Sequence, residues 1–258
     1  MADTPILYHV ERVRDGRSYS TRTVQARQRG RCIFTTTVSF VRAAAAKTPQ
    51  LRHAVSLPPG IVAPPDQYSP PPDESFLRSG PFETAQSQVV LLPDLAACRC
   101  RQWMRARGSI SAAGGRAAHL DALAYMSDSY FIGTISRIHR VWRWPFGPHQ
   151  LADLPDDAKA HITRINQLEG MGAGPQQWAA RPVAGMMVSL DHSIYFHEPL
   201  RVRADEWMFV EMDSPWAGDG RGVVMQRIFA KDGTLLATCV QEGVIRLKPD
   251  GTEASSKL

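Results

Sequence analysis

The chain has 258 residues, 21% of them charged and 43% hydrophobic, with a formal net charge of +5. That is enough apolar material for one large domain or two small ones without a disulfide framework. No run approaches the roughly 20 apolar residues of a membrane span, and no apolar segment opens the chain, so neither a transmembrane helix nor an ordinary secretory leader is expected. Of the four cysteines (Cys32, Cys98, Cys100, Cys239), only Cys98-Arg99-Cys100 are close, at a strand spacing rather than the C-x-x-C of zinc or redox sites. They read as free thiols of a reducing compartment, with no metal and no cofactor expected.

In chain order, residues 5 to 42 read as extended segments broken at Arg14-Asp15-Gly16-Arg17 and Gln28-Arg29-Gly30-Arg31, where glycine supplies positive-φ turns. Arg12, Arg14, Arg17, Arg22, Arg27, Arg29 and Arg31 crowd this hairpin. A solvated strand face explains them, and an anionic small molecule such as a coenzyme would also suit them. No finger, helix-turn-helix or aromatic-interleaved module accompanies them, so nucleic acid is not an expected partner.

Residues 57 to 75, "LPPGIVAPPDQYSPPPDES", hold seven prolines and form neither helix nor sheet interior; they read as a linker. Extended pieces follow at 84 to 92 and 98 to 110. After Gly114-Gly115, residues 117 to 132, "AAHLDALAYMSDSYFI", place Leu120, Leu123, Ala124, Met126 and Tyr130 at helical intervals nearly all round, which predicts a buried helix. Residues 141 to 184, rich in Trp, Pro and Gly, read as an insertion whose Trp142, Trp144 and Trp178 fill its own packing. Its Gly170-Met171-Gly172-Ala173-Gly174-Pro175 only superficially resembles a phosphate loop, because no strand leads in and Pro175 blocks an accepting helix.

Residues 205 to 246 repeat the extended pattern of residues 5 to 42, broken at Gly218-Asp219-Gly220 and Lys231-Asp232-Gly233. Asp15-Gly16-Arg17 matches Asp219-Gly220-Arg221, Gly30 matches Gly233, and Thr36 and Val38 match Thr238 and Val240 once two single-residue gaps are admitted. Such a repeat predicts two copies of one supersecondary unit. The helix that precedes the second copy has no counterpart before the first, so an N-terminally shortened first copy is expected.

Within the second copy, "ATCVQEGVIR" (237 to 246) reads as a strand interrupted by two long polar residues. Alternation sends Gln241 and Glu242 to opposite faces, so one amide or carboxylate must point inward and find a partner. "SLDHSIYFH" (189 to 197) puts Asp191 and Ser193 on one face and His192 and Ile194 on the other. Asp191, Ser214 and Gln241 together could hold a water, with Asp as general base and Ser and Gln orienting it; equally, they could form a buried hydrogen-bond network that only ties strands together. His119 and His192 lack the partners of a metal site.

"SLDHSIYFHEP", "DSPWAGDGRG", "DGTLLATCVQEGVIR", "LAYMSDSYFIGT" and "VERVRDGRSYSTR" together closely resemble the acyl-CoA thioesterase II family, from about residue 5 to 248, with the linker and the insertion poorly matched. The resemblance implies an α+β double hotdog in which antiparallel sheets each wrap a long helix, the first repeat here incomplete. It implies a partial hotdog at 1–56, a Pro-rich linker at 57–80, a second hotdog at 81–249 carrying the 141–184 insertion, and a flexible tail at 250–258. It further implies hydrolysis of fatty acyl-CoA to free acid and CoA without an acyl-enzyme. The catalytic Asp falls on Asp191, the Gln on Gln241 and the hydroxyl on Ser214, although "PLRVRADEW" is two residues longer than the family's usual segment. Homo-oligomers through sheet edges or the helix face are also expected of such folds.

The terminal Ser256-Lys257-Leu258 is a receptor-read peroxisomal address, which predicts an import receptor as partner and the peroxisomal matrix as location. No G-x-S-x-G elbow occurs, Gly16-Arg17-Ser18-Tyr19-Ser20 coming nearest, which disfavours an activated-serine hydrolase. A hotdog hydratase would want Asp and His five apart, whereas Asp191 and His197 are six apart. A non-catalytic acyl-CoA-binding or interaction protein is the reading from another class.

Overall fold

The computed structural model describes residues 4–42, 51–68, 80–110 and 112–249. Ser256, Lys257 and Leu258, and the linker beyond residue 68, lie outside the described residues. Two compact units divide the chain, 1–54 and 55–258. In the first, β1 (Leu7–Asp15), β2 (Tyr19–Gln28) and β3 (Arg31–Val41) form an antiparallel meander. The β2–β3 turn uses Arg29 and Gly30 at φ 50° and 77°, the left-handed pair that a tight hairpin needs. Gly16 differs from expectation: its φ is not positive, and the reason for glycine is Tyr19 O, 2.9 Å from where a Cβ would stand. Arg22 pairs with Asp15 across the same turn.

The second unit is a seven-stranded antiparallel sheet. Its strands are β4 (Phe82–Val90), β5 (Arg99–Ala106), β6 (Ala184–Ser189), β7 (Ser193–Phe196), β8 (Met208–Gly218), β9 (Arg221–Ala230) and β10 (Leu235–Leu247). They run in the order β4-β5-β8-β9-β10-β6, with β7 also on β10. The β8–β10 meander has the same connectivity as β1–β3, and Asp219 and Gly220, at φ 51° and 69°, make its first turn.

One long helix over 117–132 is not what forms. Helix α1 (Gly115–Met126) stops, residues 127–132 turn, and a separate helix α2 (Gly133–Ile138) follows. Ser127 Oγ donates to Ala124 O at 2.8 Å, competing with helical pairing, and Tyr130 sits at φ 60°, which a right-handed helix cannot continue through. The break leaves Ser127 and Asp128 at the end of α1 and brings Phe131, Ile132 and Ile135 down on the sheet.

The main core lies between this helical segment and the sheet. Leu123, Met126, Phe131 and Ile135 meet Met104, Val210, Met212, Val224, Ala237 and Cys239, all at most 3% exposed. The opposite face is also covered. Leu57, Ile61, Ala63 and Tyr68 of the Pro-rich segment pack on Trp103, Trp207, Phe209 and Phe229. Trp207 Nε1 donates to Pro65 O at 3.3 Å, and Lys231 pairs with Asp66 at 2.6 Å. Over 57–68 the prolines therefore give an irregular strap against the sheet rather than a free spacer.

The insertion has its own small core. Helix α3 (Asp156–Leu168) and the short α4 (Pro175–Ala179) enclose Trp142 and Trp178, stacked at 6.0 Å, with Leu151, Ile162 and Met171. Its Gly-rich segment joins α3 to α4, with Gly170 and Gly172 at φ 63° and 117°. Nearby, Glu169 holds Arg137 at 3.0 Å and also pairs with Arg143, all three side chains 12% exposed or less.

Candidate functional site

The interruption in "VQEG" has a structural cause. Strand β7 pairs β10 over residues 237–240 and β6 pairs it over 243–247, so neither takes that edge at Gln241 and Glu242. The connecting residues Leu190 and Asp191 fill the gap. Both N–H groups approach Glu242 O, at 2.9 and 3.4 Å, while Asp191 Oδ1 accepts the Glu242 N–H at 2.7 Å. A side-chain carboxylate thus replaces the carbonyl that a continuous strand would supply. Asp191 itself is exposed, which leaves its second oxygen accessible.

Alternation along β10 then does as expected. Glu242 points away from the core and pairs with Arg221 at 2.8 Å, while Gln241 points inward and is 1% exposed. Gly243 continues the inward face, and a Cβ there would lie 2.5 Å from Ile132 Cγ1 and 3.0 Å from Val188 O. The glycine lets the segment after α1 approach closely enough to reach Gln241.

Gln241 Nε2 donates to Asp128 Oδ1 at 2.6 Å and lies 3.4 Å from His192 Nδ1. The other ring nitrogen of His192 is 3.0 Å from Ser127 Oγ, and the ring edge meets Phe131 at 5.5 Å between centroids. Burial lowers the pKa of His192, with the Asp128 and Asp191 carboxylates pulling the other way. Burial likewise pushes the Cys239 thiol up to about 12, opposed by its hydrogen bond to Ser127. Gln241 Oε1 is buried without a hydrogen-bond partner among the described residues.

Ser214 stands apart. It is 4% exposed on β8, inside the irregular β8–β9 pairing between Asp213 and Trp216 that Pro215 enforces. Its Oγ donates to Val223 O at 2.8 Å, with Trp216 O at 3.3 Å. Val224, next to Val223, is the residue across from Gln241, so Ser214 is separated from Gln241 by strand β9. Among the described residues no hydrogen bond joins it to Asp191 or Gln241. The structure thus gathers Asp191 and Gln241 at one gap in the ladder, adds Asp128 and His192, and leaves Ser214 on the second strand over.

Asp128 is the residue that sequence reading missed. The available signal was an acid just beyond the C-terminal end of a helix, where the dipole disfavours negative charge and a compensating partner is implied. Among the described residues, no group of three His, Cys, Asp or Glu side chains could hold a metal ion, and no helix is long and apolar enough to cross a membrane.

A cavity of about 400 Å³ opens beside Asp128, with Phe131, Ile132, Met212, Gln102, Arg137 and Glu169 in its wall. Its size lies in the range of small-molecule sites. Gln102 is buried, and its Nε2 has no partner among the described residues.

A curled antiparallel sheet closed over a central helical segment is the hotdog class of fold. A protein of Alicyclobacillus acidocaldarius described as having a hot dog fold superposes with a TM-score of 0.51 at 16% identity, over 93% of this chain and 72% of that one. Residues 62–245 match the acyl-CoA thioesterase C-terminal domain family, and residues 1–41 match the acyl-CoA thioesterase N-terminal domain. Acyl-coenzyme A thioesterase 8 of Mus musculus is 36% identical over 97% of this chain and 70% of its own length. Acyl-CoA thioesterase II TesB2 from Mycobacterium marinum superposes with a TM-score of 0.60 at 27% identity, over 95% of this chain and 75% of that one. The chain belongs to the acyl-CoA thioesterase II family.

Proposed function

We propose that the protein hydrolyses fatty acyl-CoA thioesters to free fatty acid and CoA. Asp191 takes a proton from a water, whose oxygen bonds to the thioester carbonyl carbon; the C–S bond then breaks and the CoA sulfur leaves, to be protonated. Gln241 orients the water, while Ser214, whose Oγ donates to Val223 O, stands one strand farther off and holds the β8–β9 irregularity. The observation that carries this reading is the gap in the β10 ladder, where an accessible carboxylate and a buried carboxamide belong to one backbone crossing. The relatives' names, acyl-coenzyme A thioesterase 8 and acyl-CoA thioesterase II, support the same substrate class. The cavity beside Asp128, with Phe131, Ile132, Ile165, Leu168 and Met212 in its wall, suits the acyl chain.

The same reading puts the enzyme in peroxisomal fatty acid metabolism. Its support is the terminal Ser256-Lys257-Leu258, which an import receptor would read. Association of copies through exposed sheet edges belongs to it too, and sedimentation velocity reads that directly. Localisation of a fluorescent fusion should change from punctate to diffuse when the tripeptide is deleted.

The activity is tested by thiol release from acyl-CoAs of short to long chain, on folded protein and on Asp191→Asn. Turnover that the variant loses is expected. Folded protein that binds acyl-CoA and turns over none of them would replace this reading with an acyl-CoA-binding role.

A further inference from the structure

We propose that Asp128 is a positioning residue, whose carboxylate turns the Gln241 carboxamide so that Oε1, and not the NH2 group, is the atom offered to the reaction. This rests on the thioesterase reading and adds a residue to it. An ionised carboxylate has no hydrogen to donate, so the Gln241 atom 2.6 Å from Asp128 Oδ1 must be the nitrogen. The usual ambiguity between the two ends of a glutamine amide is removed by chemistry.

The other neighbours agree. While the Cys239 sulfur is a thiol, Ser127 Oγ gives its one proton to Ala124 O at 2.8 Å, so toward His192 Nε2 at 3.0 Å it accepts. That makes Nε2 the protonated nitrogen of a neutral ring and Nδ1 an acceptor, which faces Gln241 Nε2 at 3.4 Å. Both amide hydrogens of Gln241 therefore have acceptors, one strong and one long. Oε1 is buried with none among the described residues. A buried carbonyl without a donor is costly unless something supplies one, and a water or a substrate N–H would do so. Gln241 consequently acts by accepting a hydrogen bond, for instance from the attacking water, rather than by donating one to the thioester oxygen.

Asp128 is well exposed, its side chain retaining 62% of its surface, so replacing it leaves the core intact. Kinetics on an acyl-CoA should show Asp128→Ala losing kcat roughly 10- to 100-fold with KM little changed, the size expected for one charge-assisted hydrogen bond. Asp128→Asn keeps a carbonyl able to accept from Gln241 and should recover most of that loss. In a Gln241→Ala background Asp128→Ala should add nothing. The Gln241 side-chain NH2 resonances, assigned by their absence in Gln241→Ala, should shift in Asp128→Ala. Unchanged kcat in Asp128→Ala, an Asn variant as impaired as the Ala variant, or additive losses would each overturn the role. If the wild type turns over no acyl-CoA, the thioesterase reading fails and the resonances alone decide, an unmoved pair ruling out the contact.

Discussion

Asp191 Oδ1 accepts the Glu242 N–H at 2.7 Å, in the stretch of β10 whose outer edge no strand completes. The carboxylate therefore has a structural duty beside its proposed chemical one, and the two separate by substitution. Asp191→Asn keeps an oxygen that can accept the N–H, so its melting temperature should stay near that of the wild type while turnover falls about 10²- to 10⁴-fold. Asp191→Ala should lose the same turnover and also about 1 kcal/mol of stability. Parallel thermal melts and thiol-release assays check both; an Asn variant of full activity would remove Asp191 from the chemistry.

Gly243 should tolerate no side chain. A Cβ there meets Ile132 Cγ1 at 2.5 Å and the Val188 carbonyl at 3.0 Å, so Gly243→Ala must displace the segment that carries Asp128. The expected loss is about 1 to 3 kcal/mol in urea unfolding, as for other overpacked sites. A second consequence is weakened catalysis without any change to a reacting group.

Glu169, itself buried, compensates two half-buried arginines, Arg137 and Arg143, and burial is the main influence lowering the Arg143 pKa. Removing the acid leaves both cations facing each other in a place poor in water. Glu169→Gln should cost about 3 to 5 kcal/mol. By contrast, Arg221→Gln, which breaks the exposed pair with Glu242, should cost under about 1 kcal/mol. Denaturant midpoints of the two variants distinguish these expectations.

Cys32 is exposed, whereas Cys98, Cys100 and Cys239 are buried. Burial pushes Cys100 up to about 11 and Cys239 up to about 12, from 9.0 in each case. At pH 8 Cys239 should carry about a thousandfold less thiolate than an unperturbed thiol, so native protein should show one fast-reacting thiol and the unfolded chain four. The sign for stability follows from the raised values. Cys100 and Cys239 favour the fold fully below pH 9, and that contribution is lost as pH rises through about 11 to 12, because the unfolded chain releases its protons first. Alkaline unfolding that is unaffected by Cys239→Ala would contradict this.

By itself the sequence determined what depends on neighbours along the chain. Alternation over 237–246 sends Gln241 inward and Glu242 outward, and the turn residues Asp219 and Gly220 set the β8–β9 hairpin, as the structure has them. The motifs around Asp191, Ser214 and Gln241 also carried the family. Tertiary structure decided what depends on approach and register. The helical pattern over 117–132 could not foretell a break at Ser127, because its cause is a side-chain hydrogen bond together with a left-handed Tyr130. Nor could proline content show that residues 57–68 cover the outer face of the sheet, since that follows from the aromatic surface of Trp103, Trp207 and Phe229 needing cover. The contact between Asp128 and Gln241 joins residues 113 apart in sequence. It exists because Gly243 lets Ile132 down onto β10, and no local propensity encodes how closely a helix end will approach a strand.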